Sequence, residues 1–151
     1  MPAPVVTAEV VLDAIKARLD LITGANYNTA PTVRIGVPRE KVPEGAGEYV
    51  YLAHNSSDTL HDEAATQHKE RATYVVWCVS NAPSTALRRA LKLVRDVQKA
   101  VRSGFAAIEA AGATHGVALV GYMRDERAEQ ITGATAYSVG ITADWVVDLT
   151  A

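Results

Sequence analysis

Over residues 135–149 the odd positions are Thr135, Tyr137, Val139, Ile141, Ala143, Trp145, Val147 and Leu149, almost all apolar. The even positions are Ala136, Ser138, Gly140, Thr142, Asp144, Val146 and Asp148, mostly small or polar. Side chains of a strand alternate between faces, so this period of two predicts a long β-strand with one buried face and one milder face. A helix would scatter the same apolar residues around its circumference. The strand defines the inside of a sheet, which the rest of the chain must cover.

The remaining chain supplies helices and further strands. Thr7 offers an N-cap hydroxyl, and Leu12, Ile15, Leu19 and Ile22 recur at helical spacing, with Asp13, Lys16 and Asp20 off that stripe. Gly24 is expected to end this helix. Residues 25–31 form a polar loop and 32–36 a short strand, after which Pro38, Pro43, Gly45 and Gly47 break the chain. Residues 48–53 (EYVYLA) read as a strand, and the polar run 55–69 as a long loop or an extended hairpin tip. Residues 71–80 (RATYVVWCVS) form a strand apolar on both faces, so it is central in a sheet or covered by a partner.

Pro83 and Ser84 open a second helix, with an apolar stripe of Leu87, Ala90, Leu91, Val94, Val97 and Val101, closed by Gly104. The Ala/Gly-rich residues 105–116 hold a partial helical turn at most. Residues 117–124 are a strand, and 125–133 a charged connection into the last strand. The order is α-β-β-β-α-β-β. This predicts an α+β fold, a mainly antiparallel β-sheet of four to five strands with two α-helices packed on one face. No repeat or composition shift divides it, so residues 1–151 are expected to be a single domain.

Composition narrows the classes. Hydrophobic residues at 48% and charged residues at 21% fit a globular core. A formal charge of −2 gives no global attraction to nucleic acid or acidic lipid. The lone Cys78 excludes an intramolecular disulfide and reads as a buried, inert thiol. No apolar run spans a bilayer, and MPAPVVTAEV lacks the basic and apolar regions of a signal peptide. A reducing, non-membrane compartment is the expectation.

Chemistry is sparse. His54, His61 and His68 fall seven residues apart, with Asp58, Asp62 and Glu63 between them, a donor set that could collect a divalent ion in a folded loop. No HxxH or HxH pair occurs, and His115 is distant, so a solvated polar loop is the simpler reading. There is no GxSxG, GxxxxGK[ST] or GxGxxG. Asn55-Ser56-Ser57 matches a sequon that has no meaning without secretion. Asp144 and Asp148 share a strand face, which a solvent- or lumen-facing surface explains without catalysis. The second helix carries Arg88, Arg89, Lys92, Arg95, Lys99 and Arg102, a basic stripe without the aromatics that stack bases. A solvated face, or one meeting an acidic neighbouring subunit, accounts for it better.

What stands out is apolar surface without cover. Strand 71–80 presents Tyr74, Val76 and Cys78 on one face and Val75, Trp77 and Val79 on the other, and two helices cover only one sheet face. Large apolar patches and free strand edges mark association surfaces. Tyr74, Val75, Trp77 and Val79 are therefore candidate interface residues. No cofactor and no catalytic or metal residue is assigned, and an enzyme is not expected.

An opening helix (VVLDAIKARLDLI), short strands with a Pro/Gly loop (GVPREKVPEGAGEYVYL), a polar insertion, a strand (ATYVVWCVS), a helix (APSTALRRALKLVRDVQKAV) and a closing strand pair ending SVGITADWVVDL follow in order. This layout resembles the tail terminator (tail completion) proteins of long-tailed bacteriophages. The resemblance spans nearly the whole chain through element order, length and texture, the family having no sharp catalytic motif. It implies a structural virion assembly protein: a homo-oligomeric, hexameric ring that caps the tail tube, ends its elongation and offers the head-tail joining surface. The implied partners are further copies of the chain, the major tail tube protein and a head connector or neck protein, with DNA passing through the ring unbound. The implied location is the head-proximal end of the virion tail, assembled in the host bacterial cytoplasm. Residues 55–69, with Asp58, Leu60 and His61, and the connection near 125–133, with Arg124, Asp125, Arg127 and Ile131, are candidate segments reaching the tube or a neighbour. A neck or head-completion connector is the alternative, and a small metal-binding enzyme using His54, His61 and His68 the reading from another class.

Overall fold

A computed structural model describes residues 6–38, 47–64, 67–82, 84–113, 116–131 and 134–148; the side chains of residues 61–64, 121–131 and 148 lie outside that description. The elements are α1 (Thr7–Leu19), β1 (Thr32–Ile35), β2 (Glu48–Ala64), β3 (Gln67–Ser80), α2 (Ala86–Arg102), α3 (Phe105–Ala111), β4 (Ala118–Ile131) and β5 (Ala134–Asp148). The five strands form one sheet in the order β1-β2-β3-β5-β4. Only β1 and β2 run parallel; the other three pairings are antiparallel. The class is α+β, with three helices where the periodicity predicts two and a mixed sheet.

β3 is the middle strand, which explains why its sequence is apolar on both faces. Its even positions carry the main core. Val50 opposes Cys78, which opposes Tyr137; Leu52 opposes Val76, which opposes Val139; Tyr74 opposes Ile141. On this face Val50, Leu52, Ala72, Tyr74, Val76, Cys78, Val139, Ile141, Ala143 and Trp145 pack against Val11, Ile15 and Leu19 of α1, Leu93, Val97 and Val101 of α2, and Ile108 of α3. Each fully buried aliphatic side chain there contributes about 1.5–3 kcal/mol.

Several local expectations change. Thr7 is the first residue of α1, buried, and makes no capping bond; Val6 is the N-cap. The helix stops at Leu19, and Gly24 with φ of 89° lies in the turn beyond it. Arg18, in the last turn, donates to the Ala100 carbonyl (3.1 Å) and to Ser103 Oγ (3.0 Å), joining the C-terminal ends of α1 and α2. α2 starts at Ala86 rather than at residues 83–84, and Ser84 takes a positive φ of 57° before it. Its buried stripe is Ala90, Leu93, Val94, Val97, Ala100 and Val101, whereas Leu87 and Leu91 are 53% and 46% exposed.

The sheet also reaches further than expected. Of the run 55–69, residues 55–64 and 67–69 are paired strand, the distal parts of β2 and β3, so of the two readings the extended hairpin fits and the loop does not; residues 65 and 66 lie outside the described residues. The run 125–131 is strand, paired to β5 up to Ile131 opposite Ala134. Between Met123 and Arg127 the ladder shifts register, which places Arg124 and Asp125 in a bulge. Residues 134–148 form β5 nearly as predicted, but its even face is not open: Ala136, Ser138 and Thr142 are buried. The strand lies between β3 and β4 in the sheet. Leu149, His115, Pro43, Gly45 and Pro83 lie outside the described residues.

Candidate assembly surface

Among the described residues no helix packs on the second face of the sheet. Its odd positions on β2 and β3 meet across the register: Tyr51 opposes Trp77, which opposes Ser138, and Tyr49 opposes Val79, which opposes Ala136. Tyr51, Val79 and Ala136 form a small buried cluster, with Tyr49, Trp77 and Ala134 packed against it. The rings of Tyr49 and Tyr51 lie 6.5 Å apart, and the Arg34 guanidinium sits 5.7 Å from the Tyr49 ring centre. Val75 and Trp77 remain half-buried on this face. Val79 is fully buried within the chain, so its demand for cover is met without a partner.

Tyr74 is a correction. Its side chain is fully buried on the helix side of the sheet, and its hydroxyl donates to the Ala8 carbonyl at 2.7 Å. Burial, with the nearby Glu70 charge adding, holds that hydroxyl well above the usual tyrosine range. It is a core residue and offers no surface to another chain.

Beyond Leu52 the hairpin becomes an arm. β1 pairs only with Tyr49 to Leu52, so among the described residues no strand covers the outer edge of β2 from Ala53 to Ala64. At about 3.3 Å per residue, those twelve residues extend roughly 35–40 Å. Asn55, Ser57, Asp58, Thr59 and Leu60 are exposed along it, Leu60 by 47%. At the arm's base Arg71 makes a two-pronged bond to Asp144 (2.8 and 2.9 Å), which pins β3 to β5. That hydrogen bond, and then the carboxylate's charge, raise Arg71 above its ordinary value. This pairing engages Asp144, which shares a strand face with Asp148 in the sequence pattern. The outer edge of β4 is likewise unpaired among the described residues.

The arm also separates the histidines. His54 stands opposite Tyr74, with its ring edge-on to that phenol at 5.4 Å and its Nε2 2.6 Å from Ser57 Oγ. His68 lies six residues along β3 from Tyr74, roughly 20 Å away in an extended strand, and its Nε2 is 3.8 Å from Glu70. One ion cannot bind both. Among the described residues no group of three His, Cys, Asp or Glu side chains is placed to hold a metal. The side chains of His61, Arg124, Asp125, Arg127 and Ile131 lie outside the described set; their backbones run in β2 and β4.

α2 turns its basic residues outward, but not all in one role. Arg89 pairs with Glu48 of β2, and Lys99 donates to the Asn26 carbonyl while sitting 4.7 Å from the Tyr27 ring centre. Those two fasten α2 to the sheet and to the loop after α1. Arg88, Lys92 and Arg95 are exposed, beside the exposed Leu87 and Leu91. The sequence pattern had assigned both leucines to the core, so this mixed apolar and cationic surface was missed. No described helix is long and apolar enough to cross a membrane.

No family model matches the chain, and no curated protein matches it. Among solved structures it is similar to a chain of the virion of a native gene transfer agent particle, at 12% identity and a TM-score of 0.46, covering 94% of this chain and 97% of that one. It is also similar to a sheath/tube terminator of an extracellular contractile injection system in its extended state, at 12% identity and a TM-score of 0.46. That match covers 87% of this chain and 55% of the other, so the chain spans about half of that protein's length.

Proposed function

We propose that this protein is a structural component of a phage tail, a terminator that assembles as a hexameric ring on the tube, stops its elongation and presents the surface to which the head joins. The observation that carries the reading is the β2–β3 arm, exposed at Asn55 and from Ser57 to Leu60, whose outer edge is unpaired among the described residues, beside a sheet face over which no described helix packs. Extended edges and half-covered sheet faces are association surfaces, and isolated monomers ordinarily blunt them. The element order supports the same reading, because it resembles that of tail terminator proteins.

In this reading the sheet builds the ring wall, and the arm reaches the tube protein or the adjacent copy. A closed ring joins two different patches of each copy, head to tail, and the molecule has two unlike edges, β2 and β4, to offer. The formal charge of −2 suits a lumen that does not hold passing DNA. The work is mechanical rather than catalytic.

The test is native mass over a concentration range, followed by addition to polymerising tube protein. A discrete species near six protomers, or rings forming at tube ends with elongation arrested, is the expected result. A monomer at every concentration that leaves tube growth unchanged sinks the proposal. Binding to portal or connector complexes without arresting tubes would transfer the protein to the neck of the particle instead.

A further inference from the structure

On α1 and α2 the exposed charges left without partners are sorted by sign. On α1, Glu9 and Asp13 are exposed one turn apart, and neither side chain has a hydrogen bond or ion pair among the described residues. On α2 the same holds for Arg88, Lys92 and Arg95. The other described acids nearby are engaged: Asp20 with Lys16, Glu48 with Arg89, and Asp96 with Asn28 and Thr29. Like charges at a spacing of four on one helix repel, so each stripe is mildly unfavourable in the isolated chain.

Each stripe is also bordered by exposed apolar side chains. Val6, 57% exposed, precedes Glu9 by one turn, and Leu87 and Leu91 flank the cations. α1 and α2 are about 20 and 25 Å long at 1.5 Å per residue, enough to meet along several turns.

We propose that the cationic stripe of α2 docks on the acidic stripe of α1 in a second copy of this chain, as the inter-subunit contact of the ring. The inference rests on the assembly reading above. Contacts of α1 with α1, or of α2 with α2, oppose like charges, whereas α1 with α2 is complementary in both charge and apolar flanks. Electrostatic matching of this kind selects register and rejects wrong pairings. It makes the contact one between unlike patches, which is what a cyclic assembly requires. Nucleic acid would engage the cations alone. It would leave the acidic stripe unexplained, and the flanking leucines cannot stack bases.

The test uses two full-length variants, Glu9→Lys/Asp13→Lys and Arg88→Glu/Lys92→Glu, whose substituted side chains are exposed and so leave the fold intact, as thermal melting verifies. In sedimentation at low salt, each variant alone should need at least about tenfold more protein than wild type to reach half-assembly. An equimolar mixture should recover to within about threefold, because each variant then presents charges complementary to the other's and not to its own. Assembly of either variant at wild-type concentrations overturns the contact while leaving the ring reading in place, as does a mixture that fails to recover. A wild type that stays monomeric at every concentration and on tubes removes the ring reading and this contact together. Loss of duplex DNA retention in the α2 variant, with self-association unchanged, overturns the contact in favour of nucleic acid.

Discussion

The Tyr74 hydroxyl on β3 donates to the carbonyl of Ala8 in the first turn of α1, 2.7 Å away, and ties the central strand to the helix lying across it. Tyr74→Phe removes this second donor while the Ala8 carbonyl keeps its bond within the helix, at a cost of about 0.5–1.5 kcal/mol. The pH dependence has a definite sign. Burial, reinforced by Glu70, raises the folded-state pKa of Tyr74, whereas in the unfolded chain it titrates at its ordinary value of about 10. Its stabilising contribution is therefore complete below about pH 10 and falls as pH rises beyond that, because the unfolded chain releases the proton first. Urea unfolding at about pH 7 and about pH 11 should show a smaller alkaline loss for Tyr74→Phe than for wild type. Equal losses would show that the phenol does not titrate differently on folding.

The rotation of α2 separates two leucines that look alike in sequence. Leu93 is fully buried, and Leu91, two residues earlier, is 46% exposed. Leu93→Ala should destabilise the chain by about 2–5 kcal/mol through the cavity it opens, and Leu91→Ala by no more than about 0.5 kcal/mol. Chemical denaturation of the two variants side by side decides it; comparable losses would mean that the helix faces the sheet in another rotation.

That rotation marks where the sequence is legible and where it is not. The period of two in residues 135–149, and the two-faced apolar strand 71–80, transfer to β5 (Ala134–Asp148) and to the central β3, because strand side chains alternate by geometry alone. α2 has apolar residues at 87, 90, 91, 93, 94, 97 and 101, wide enough for two overlapping stripes, and only packing against β3 and β5 chooses between them. Of the run 55–69, none of residues 55–60 and 67–69 is a core residue, so no apolar period marks it; strand pairing there follows from continuation of the β2–β3 ladder. The bulge that receives Arg124 and Asp125 is a register event, and register is a relation between strands that one segment does not contain. Tyr74, a candidate interface residue of the two-faced apolar strand, lies on the core side, a distinction fixed only when even positions of β3 meet the helices.

Asp96 is a buried carboxylate that organises the loop after α1. It accepts from the Asn28 backbone N–H and side-chain amide, both at 3.1 Å, and from the Thr29 hydroxyl at 2.6 Å. Asp96→Ala strands three donors and should lower stability by about 2–3 kcal/mol. Hydrogen exchange should then show lost protection at Asn28 and Thr29 before the strands are affected. Unchanged exchange in that loop would mean that something else holds it.

Gly112 is required by a close approach rather than by its backbone angles. A Cβ there would lie 2.7 Å from the Val117 Cβ and closer still to one of its methyl groups, where the chain turns from α3 towards β4. Val117 is β-branched and buried, so it has little freedom to move aside. Gly112→Ala should cost about 1–3 kcal/mol. At Gly47 the nearest atoms to an added Cβ are 3.9 Å away, and Gly47→Ala should be near neutral, within about 0.5 kcal/mol. A thermal melt of both variants tests the difference, and equal midpoints would contradict it.

The arm should carry function without carrying stability. Asp58 and Leu60 are exposed on β2, remote from the core residues that the helices cover. Asp58→Lys/Leu60→Lys should therefore leave the melting free energy within about 0.5 kcal/mol of wild type, since neither side chain is buried by folding. If the arm engages tube protein, the same change introduces two cations into a contact that evolved with one anion and one apolar group. Mismatches of that kind cost several kcal/mol at an interface. Tubes polymerised with the variant should then be long and open-ended in electron micrographs, where wild-type protein leaves short, capped ones. A variant that caps as well as wild type would place the tube contact on another part of the molecule, and the uncovered sheet face around Val75 and Trp77 would be the next surface to substitute.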